Sequence, residues 1–442
     1  MGQRLTAQNV RLRSVNRSNS TSGFIVNSSG VVNSNDVHNA NRCAPDCVKT
    51  GRHMVCAQRR CLQYLTQGAE SPAERPNNCR SDAVGPAAGT AITLRLLNMT
   101  AEEIISFEAL YDSMEKCKCG VLWKDSAAHF YLNGIEECLK LEAELETEKY
   151  VPREPRKFLL THPKRREAIS ISFRDRVYQR SLNDNAIYPE MTRSFIYDNH
   201  SCQKGKGTDK ARERLKCHME RFCRRDGPDG WVLQGDIKGY YPNMPHEVAF
   251  RCFRKHLDPA IAERSVEVLR GQYAGETGFN PGSQMVQIVG ISALDEMDHY
   301  IKEKLGIKYY IRYMDDFILI HRDRSCLEDC LQEMRTKLTE IGLELHPEKT
   351  GIYKLSDGIP FLGFIFRADK TGHVTMLIKP KNVKNERRKL RRMAGLVKDG
   401  RLSKEKADES YRDWRAHAAK GDSKSLLDRM DAFYEDLWKE GT

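Results

Sequence analysis

The stretch Tyr309–His321 reads YYIRYMDDFILIH. Two short runs rich in aromatic and β-branched residues flank Met314, Asp315 and Asp316, the pattern of two strands joined by a tight turn. The spacing therefore places two adjacent carboxylates at a hairpin tip. Acids are ordinary turn residues, so taken alone this tip reads first as a solvated turn.

A second acid changes that reading. In WVLQGDIKGYYP, from Trp231 to Pro242, an apolar strand delivers Asp236 at its end, and Tyr241 follows five residues later. Hard cations such as Mg²⁺ take oxygen ligands, so carboxylates from two separate strands form a chemically suitable set. A pair of such ions suits nucleotide transfer, in which a 3′-hydroxyl attacks an α-phosphate and pyrophosphate leaves. Three acids packed together without a cation repel one another. The set is informative only if the fold brings the two strands side by side.

Working outward, short β-type runs alternate with helical stretches from Phe158 onward: IYPEM and FIYD, then WVLQGDI, a helix near His246 to His256, another near Gln287 to Lys304, and the quoted hairpin. This alternation indicates an α+β or α/β core. Ser325 and Glu328 are expected to cap a helix whose Leu327, Leu331, Met334, Leu338 and Ile341 form one apolar stripe, ended by Gly342. Before the core, Thr100 and Glu103 form a capping-box pattern ahead of Ile104, Ile105, Phe107, Leu110 and Met114 at helical spacing. A second helical pattern runs from about Ser126 to Lys149 through Phe130, Leu132, Ile135, Leu139 and Leu141, and Pro152 and Pro155 stop it. After Lys379 the pattern is helical and basic.

Residues 1 to about 98 differ in composition from the rest. Asn, Ser and Gly dominate Asn16 to Asn41, and the segment offers too little apolar surface to offset the entropy of ordering it, so low order is expected. Its cysteines, Cys43, Cys47, Cys56 and Cys61, lack the paired two-residue spacings of a zinc site. The chain has 442 residues and 14 cysteines, and no apolar run long enough to span a bilayer or serve as a signal peptide. Reduced thiols, a cytoplasmic location and no membrane association are therefore expected. A formal charge of +11 favours polyanionic partners but leaves a merely soluble basic surface open.

D-x-K-x-Y-Y at Asp236–Tyr241 and Y-M-D-D at Tyr313–Asp316 resemble motifs A and C of reverse transcriptases. In order, KRREAISISFRDRVYQ from Lys164, SCQKGKGTDKA from Ser201, GFNPGSQMVQ from Gly278, LHPEKTGIY from Leu345 and PFLGF from Pro360 resemble the remaining fingers, palm and primer-grip motifs. The resemblance implies an α+β right-hand polymerase with a palm on an antiparallel sheet: a helical module over 99–154, fingers and palm over 155–368, and a helical basic thumb over 369–442. It implies an RNA-directed DNA polymerase that takes an RNA template, a DNA or RNA primer and dNTPs, with two Mg²⁺ ions, or Mn²⁺, held by Asp236, Ile237, Asp315 and Asp316. It further implies Lys349 as the acid that protonates departing pyrophosphate. Lys164, Arg165 and Arg166 fall at triphosphate-contacting positions, Gln287 at a substrate-contacting one, and Tyr241 at the place of a steric gate against a ribose 2′-hydroxyl. Phe361, Leu362 and Gly363 fall at the primer grip. For each cation the alternative is a solvated basic surface, and for Tyr241 a core tyrosine.

In motif B, Gly282–Gln287 reads GSQMVQ, with Gln287 where retron and group II intron enzymes carry proline. This resembles the G-x-x-x-S-Q signature of diversity-generating retroelements, with Val286 in place of the serine. The Asn-rich start resembles the end of the variable proteins those elements diversify, which suggests that residues 1–98 are translated template repeat and spacer, with Met99 as the start. Such enzymes work with a small basic accessory protein. The alternatives are a retron-like, intron-like or defence-associated reverse transcriptase and, from another class, a non-catalytic nucleic-acid-binding protein of the same shape.

Overall fold

The computed structural model describes residues 99–161 and 165–439, all within one compact unit. The expectations for residues 1–98, the four cysteines there included, and for Lys164 lie outside the described residues.

Thr100 and Glu103 form the expected capping box. The Thr100 hydroxyl accepts the Glu103 N–H at 3.2 Å and the Glu103 carboxylate accepts the Thr100 N–H at 2.7 Å. This starts α1 (Ala101–Ile105), and Ser106 caps α2 (Phe107–Cys117). The helix expected over 126–149 is two helices, α3 (Asp125–Leu132) and α4 (Gly134–Glu146), broken at Asn133. At Gly134 a Cβ would stand 2.7 Å from the Met114 sulfur, so the second helix starts where its backbone can approach α2 closely. Leu132 and Ile135, at the break, face solvent instead of the core.

Strands β1 (Arg156–Leu160) and β2 (Arg166–Ser170) pair as an exposed antiparallel ribbon. Helix α5 (Phe173–Leu182) follows. IYPEM is not a strand: a π turn at Asn183–Ile187 carries the chain directly into α6 (Tyr188–Thr192). Pro189 lies where the π turn passes into α6, and Ile187 and Met191 are buried on the helix. FIYD forms no strand of its own; beyond it, Asn199 makes a single bridge to Arg312.

After α7 (Thr208–Asp226) come β3 (Trp231–Gly235), the short α8 (Tyr240–Asn243), α9 (His246–His256) and α10 (Pro259–Gln272). The helix expected over 287–304 is α11 (Gln284–Ser292), α12 (Asp295–His299) and a π turn at Tyr300–Lys304. The hairpin is β4 (Tyr309–Tyr313) and β5 (Asp316–His321). Helix α13 (Arg324–Glu340) starts one residue before the expected cap: Asp323 holds the cap position, and Glu328 accepts from Arg324 within the helix. Then follow β6 (Gly351–Lys354), β7 (Ile359–Phe361), β8 (Phe364–Ala368), β9 (Val374–Ile378), α14 (Pro380–Lys398), α15 (Lys404–Ala418) and α16 (Lys424–Lys439).

The central sheet is antiparallel with strand order β4-β5-β3-β6, and β7, β8 and β9 form a second, three-stranded sheet. Alternation along the central strands sends side chains into two different cores. Leu233, Tyr310, Phe317 and Leu319 join the larger core with α1–α6 and the helices between β3 and β4. Val232, Ile311, Ile318 and Ile320 join a second one with α7 and the small sheet. A sheet covered on both faces reads as continuous apolar runs, which is how WVL and FILI read in the sequence.

Candidate active site

The two acid-bearing stretches lie side by side. Strands β3 and β5 are antiparallel neighbours with Gly235 opposite Phe317, and β4 and β5 pair Tyr313 with Asp316. Asp236 directly follows Gly235 and Asp316 directly precedes Phe317, so both stand at the same end of neighbouring strands. Gly235 allows the close approach: a Cβ there would strike the Phe317 ring.

The segment after α13 completes the site. Ile237 bridges Leu345, the His346 N–H donates to the Asp236 carbonyl at 2.7 Å, and the Lys238 N–H donates to the Glu344 carbonyl at 2.9 Å. This track brings the Lys349 ammonium onto the Asp236 carboxylate, to which it donates. That hydrogen bond raises the Lys349 pKa above its ordinary value.

Burial and the negative charges of Asp236 and Asp316 push the Asp315 carboxyl up to about 7. Asp316 is raised too, by burial and then by Asp236. Asp315 and Asp316 thus share one electrostatic environment that disfavours their ionisation. Among the described residues no three His, Cys, Asp or Glu side chains are gathered closely enough to hold a metal as they stand. The donor chemistry nonetheless fits a hard divalent cation: the acceptors are carboxylate oxygens, and a cation would offset the burial and the mutual repulsion that raise Asp315 and Asp316.

Tyr241 packs from α8 against α11. Its hydroxyl oxygen lies 2.5 Å from where a Gly290 Cβ would stand, and burial raises its pKa. Tyr240 donates its hydroxyl to the Gly290 carbonyl. Gln287, on the same helix, donates to the Pro281 carbonyl at 3.0 Å, and the Cys202 thiol lies 3.7 Å from its side-chain oxygen.

Arg165 and Arg166 open β2 in solvent and form no ion pair among the described residues. Phe361, Leu362 and Gly363 form the turn between β7 and β8, with Leu362 at φ 42° and Gly363 at φ 92°. Phe361 is buried, and Arg212 of α7 donates twice to the Leu362 carbonyl, at 3.0 and 2.7 Å.

Two arginines at the site have no counterpart in the sequence reading. Arg212 sits in a charged helix and carries no local signal. Arg312 does carry one, a cation in the middle of the apolar run YYIRY, and its side chain is completely buried.

Residues 162–366 match the family model described as "Reverse transcriptase (RNA-dependent DNA polymerase)". Among solved structures, the chain is similar to apo telomerase from Candida tropicalis, with TM-score 0.41 and 11% identity over 52% of this chain and 49% of that one. It is also similar to the same enzyme truncated from its C-terminal domain, with TM-score 0.39 and 13% identity over 55% and 60%. A third likeness is to telomerase from Candida albicans in complex with a fragment of telomeric RNA, with TM-score 0.40 and 11% identity over 57% and 52%. The chain thus spans about half the length of the first of these structures. No protein of curated function matches it in sequence. Among the described residues no helix is long and apolar enough to cross a membrane, and the described cysteines are free thiols. Residues 162–366 thus carry a reverse transcriptase domain.

Proposed function

We propose that this chain copies an RNA template into complementary DNA, extending a DNA or RNA primer with dNTPs, and that Asp236, Asp315 and Asp316, with Ile237, hold its metal ions. The supporting observation is the adjacency of two carboxylate-bearing strand ends in one antiparallel sheet, with a lysine against the first acid. When bound, two Mg²⁺ ions, or Mn²⁺, supply charge that stabilises the attacking and leaving oxygens.

The remaining roles belong to the chain's own groups. Lys349 holds a proton beside Asp236 and donates it to pyrophosphate as it leaves. Lys164, Arg165 and Arg166 neutralise the triphosphate. The Tyr241 ring, backed by Gly290, blocks a 2′-hydroxyl, and Gln287 contacts the nucleotide from the same helix. The Phe361–Gly363 turn, braced by Arg212, supports the primer end by packing and backbone contact. Residues 99–154 serve as a helical module, 155–368 as fingers and palm, and 369–442 as a thumb that follows the duplex phosphates.

The retroelement reading belongs to the same proposal: a polymerase of a diversity-generating retroelement, acting with a small basic accessory protein. Gln287 in motif B and the Asn-rich residues 1–98 support it.

Primer extension on a defined RNA template with Mg²⁺ tests the assignment. The full chain should make cDNA, and Asp315→Ala with Asp316→Ala should abolish it; unchanged extension by that variant would refute the metal site. Sequencing the cDNA tests the retroelement reading, which expects errors concentrated at template adenines.

A further inference from the structure

Met314 turns the hairpin with φ 57°. A positive φ at the first position of a two-residue hairpin loop is normally left to glycine. A side chain there is strained, and such a conformation persists only where its surroundings hold it.

Both backbone polar groups of Met314 are held by side chains, one from β4 itself and one from a segment far back in the chain. Its carbonyl accepts from Arg312 Nη1 at 2.9 Å, and its N–H donates to Ser201 Oγ at 2.8 Å. Arg312 has no exposed surface, and its other two nitrogens are engaged as well. Nε reaches Asp298 at 2.7 Å, and Nη2 reaches both Asp298 and the Ile291 carbonyl, the latter at 2.9 Å. Asp298 belongs to α12 and Ile291 to α11, the helix that carries Gly290 against Tyr241. One guanidinium therefore ties the acidic turn to the helix that backs the sugar site.

Ser201 is anchored as firmly. The Arg312 N–H donates to the Asp198 carbonyl at 3.0 Å and the His200 N–H to the Arg312 carbonyl at 3.1 Å, so residues 198–200 lie against β4. The Asp198 carboxylate in turn pairs with Arg214 at 2.5 Å and Lys302 at 2.6 Å. A fully buried ion pair is often no more stabilising than apolar residues of the same volume. What it provides here is direction: a fork whose geometry fixes two carbonyls from two different elements.

We propose that Arg312 and Ser201 are positioning residues that clamp the Met314 peptide and thereby set Asp315 and Asp316 against Asp236, an inference that rests on the polymerase reading above. Arg312→Lys keeps a cation for Asp298, but a single ammonium cannot span the Met314 and Ile291 carbonyls. Ser201→Ala removes one hydroxyl and no charge.

The test measures melting, primer–template affinity, steady-state dNTP kinetics and Mn²⁺ binding by electron paramagnetic resonance for both variants and the wild type. In folded variants kcat should fall roughly tenfold to a hundredfold, as expected for a misplaced catalytic group. KM for dNTP and primer–template affinity should stay near wild type, and Mn²⁺ should bind roughly tenfold more weakly. A folded variant whose kcat and Mn²⁺ affinity match wild type would overturn the clamp. If Arg312→Lys does not fold, Ser201→Ala decides by the same readouts. If the wild type itself extends no primer, the polymerase reading fails, and the Mn²⁺ affinities still judge the clamp.

Discussion

Gly290 sits in the middle of α11, where glycine ordinarily costs a helix about 1 kcal/mol relative to alanine. Here a Cβ would meet the Tyr241 hydroxyl at 2.5 Å and a ring carbon at 2.8 Å, and forcing an extra methyl into such packing costs about 1–3 kcal/mol. The clash outweighs the helix gain, so Gly290→Ala must displace Tyr241. If that ring screens the sugar, the variant should accept ribonucleotides more readily, with the dNTP-to-rNTP ratio of kcat/KM falling roughly tenfold or more, the scale of a pocket contact. Tyr241→Ala should fall at least as far. Tyr241→Phe is the control, because the hydroxyl is buried with no hydrogen-bond partner among the described residues and its removal leaves the ring in place. A Gly290→Ala enzyme that melts lower yet keeps its sugar ratio would show that the ring packs without reading the nucleotide.

At the level of elements, the irregular segment between α6 and α7 depends on one carboxylate. Asp198 is 2% exposed and meets Arg214, Lys302 and, at 3.4 Å, His218. Burial alone would raise its pKa, but hydrogen bonds from His218 and Arg214 outweigh this and hold it well below the usual carboxylate range. Because the folded pKa is depressed, its contribution is fully present above the unfolded value near 3.8 and is lost as pH falls through the folded value. Asp198→Ala, which strands two cations, should lower stability at neutral pH by about 3–5 kcal/mol. Denaturant melts should show the gap between variant and wild type closing only below about pH 4; a gap that closes near neutrality would mean another group sets it. The sequence did not announce this arrangement, since FIYD has the composition of a strand while its aspartate is spent on partners far along the chain. The same holds for Ser201 and Met314, which are 113 residues apart. By contrast, the hairpin and β3 were legible because their signal is local: apolar runs broken by acids at the tips. IYPEM misled for the complementary reason, because tertiary burial of Ile187 and Met191 overrides their strand propensity. The adjacency of Asp236 to the Asp315–Asp316 turn was implied by motif order, whereas the Arg312 fork behind it joins elements that no local pattern connects.

For the whole molecule, the excess of 72 Lys and Arg over 61 Asp and Glu gains meaning from where cations lie unmatched. On α14, Lys384, Arg388 and Arg392 recur at four-residue spacing, are exposed and make no ion pair with another described residue. They form one stripe along the helix. The helix's other side is held by the small core of Leu390, Tyr411 and Met430, so removing the stripe should leave the three-helix packing intact. A cation that neutralises a duplex phosphate releases a counterion, so each lost contact lowers the slope of log affinity against log salt by about 0.9. Lys384→Ala, Arg388→Ala and Arg392→Ala together should therefore flatten that slope for an RNA–DNA primer–template by about 2 to 3, with similar losses across sequences because phosphates carry none. The variant should melt as wild type does, and its extension defect should shrink as salt is lowered. An unchanged salt slope would place the duplex on another face of the protein and leave this stripe as a solvated surface.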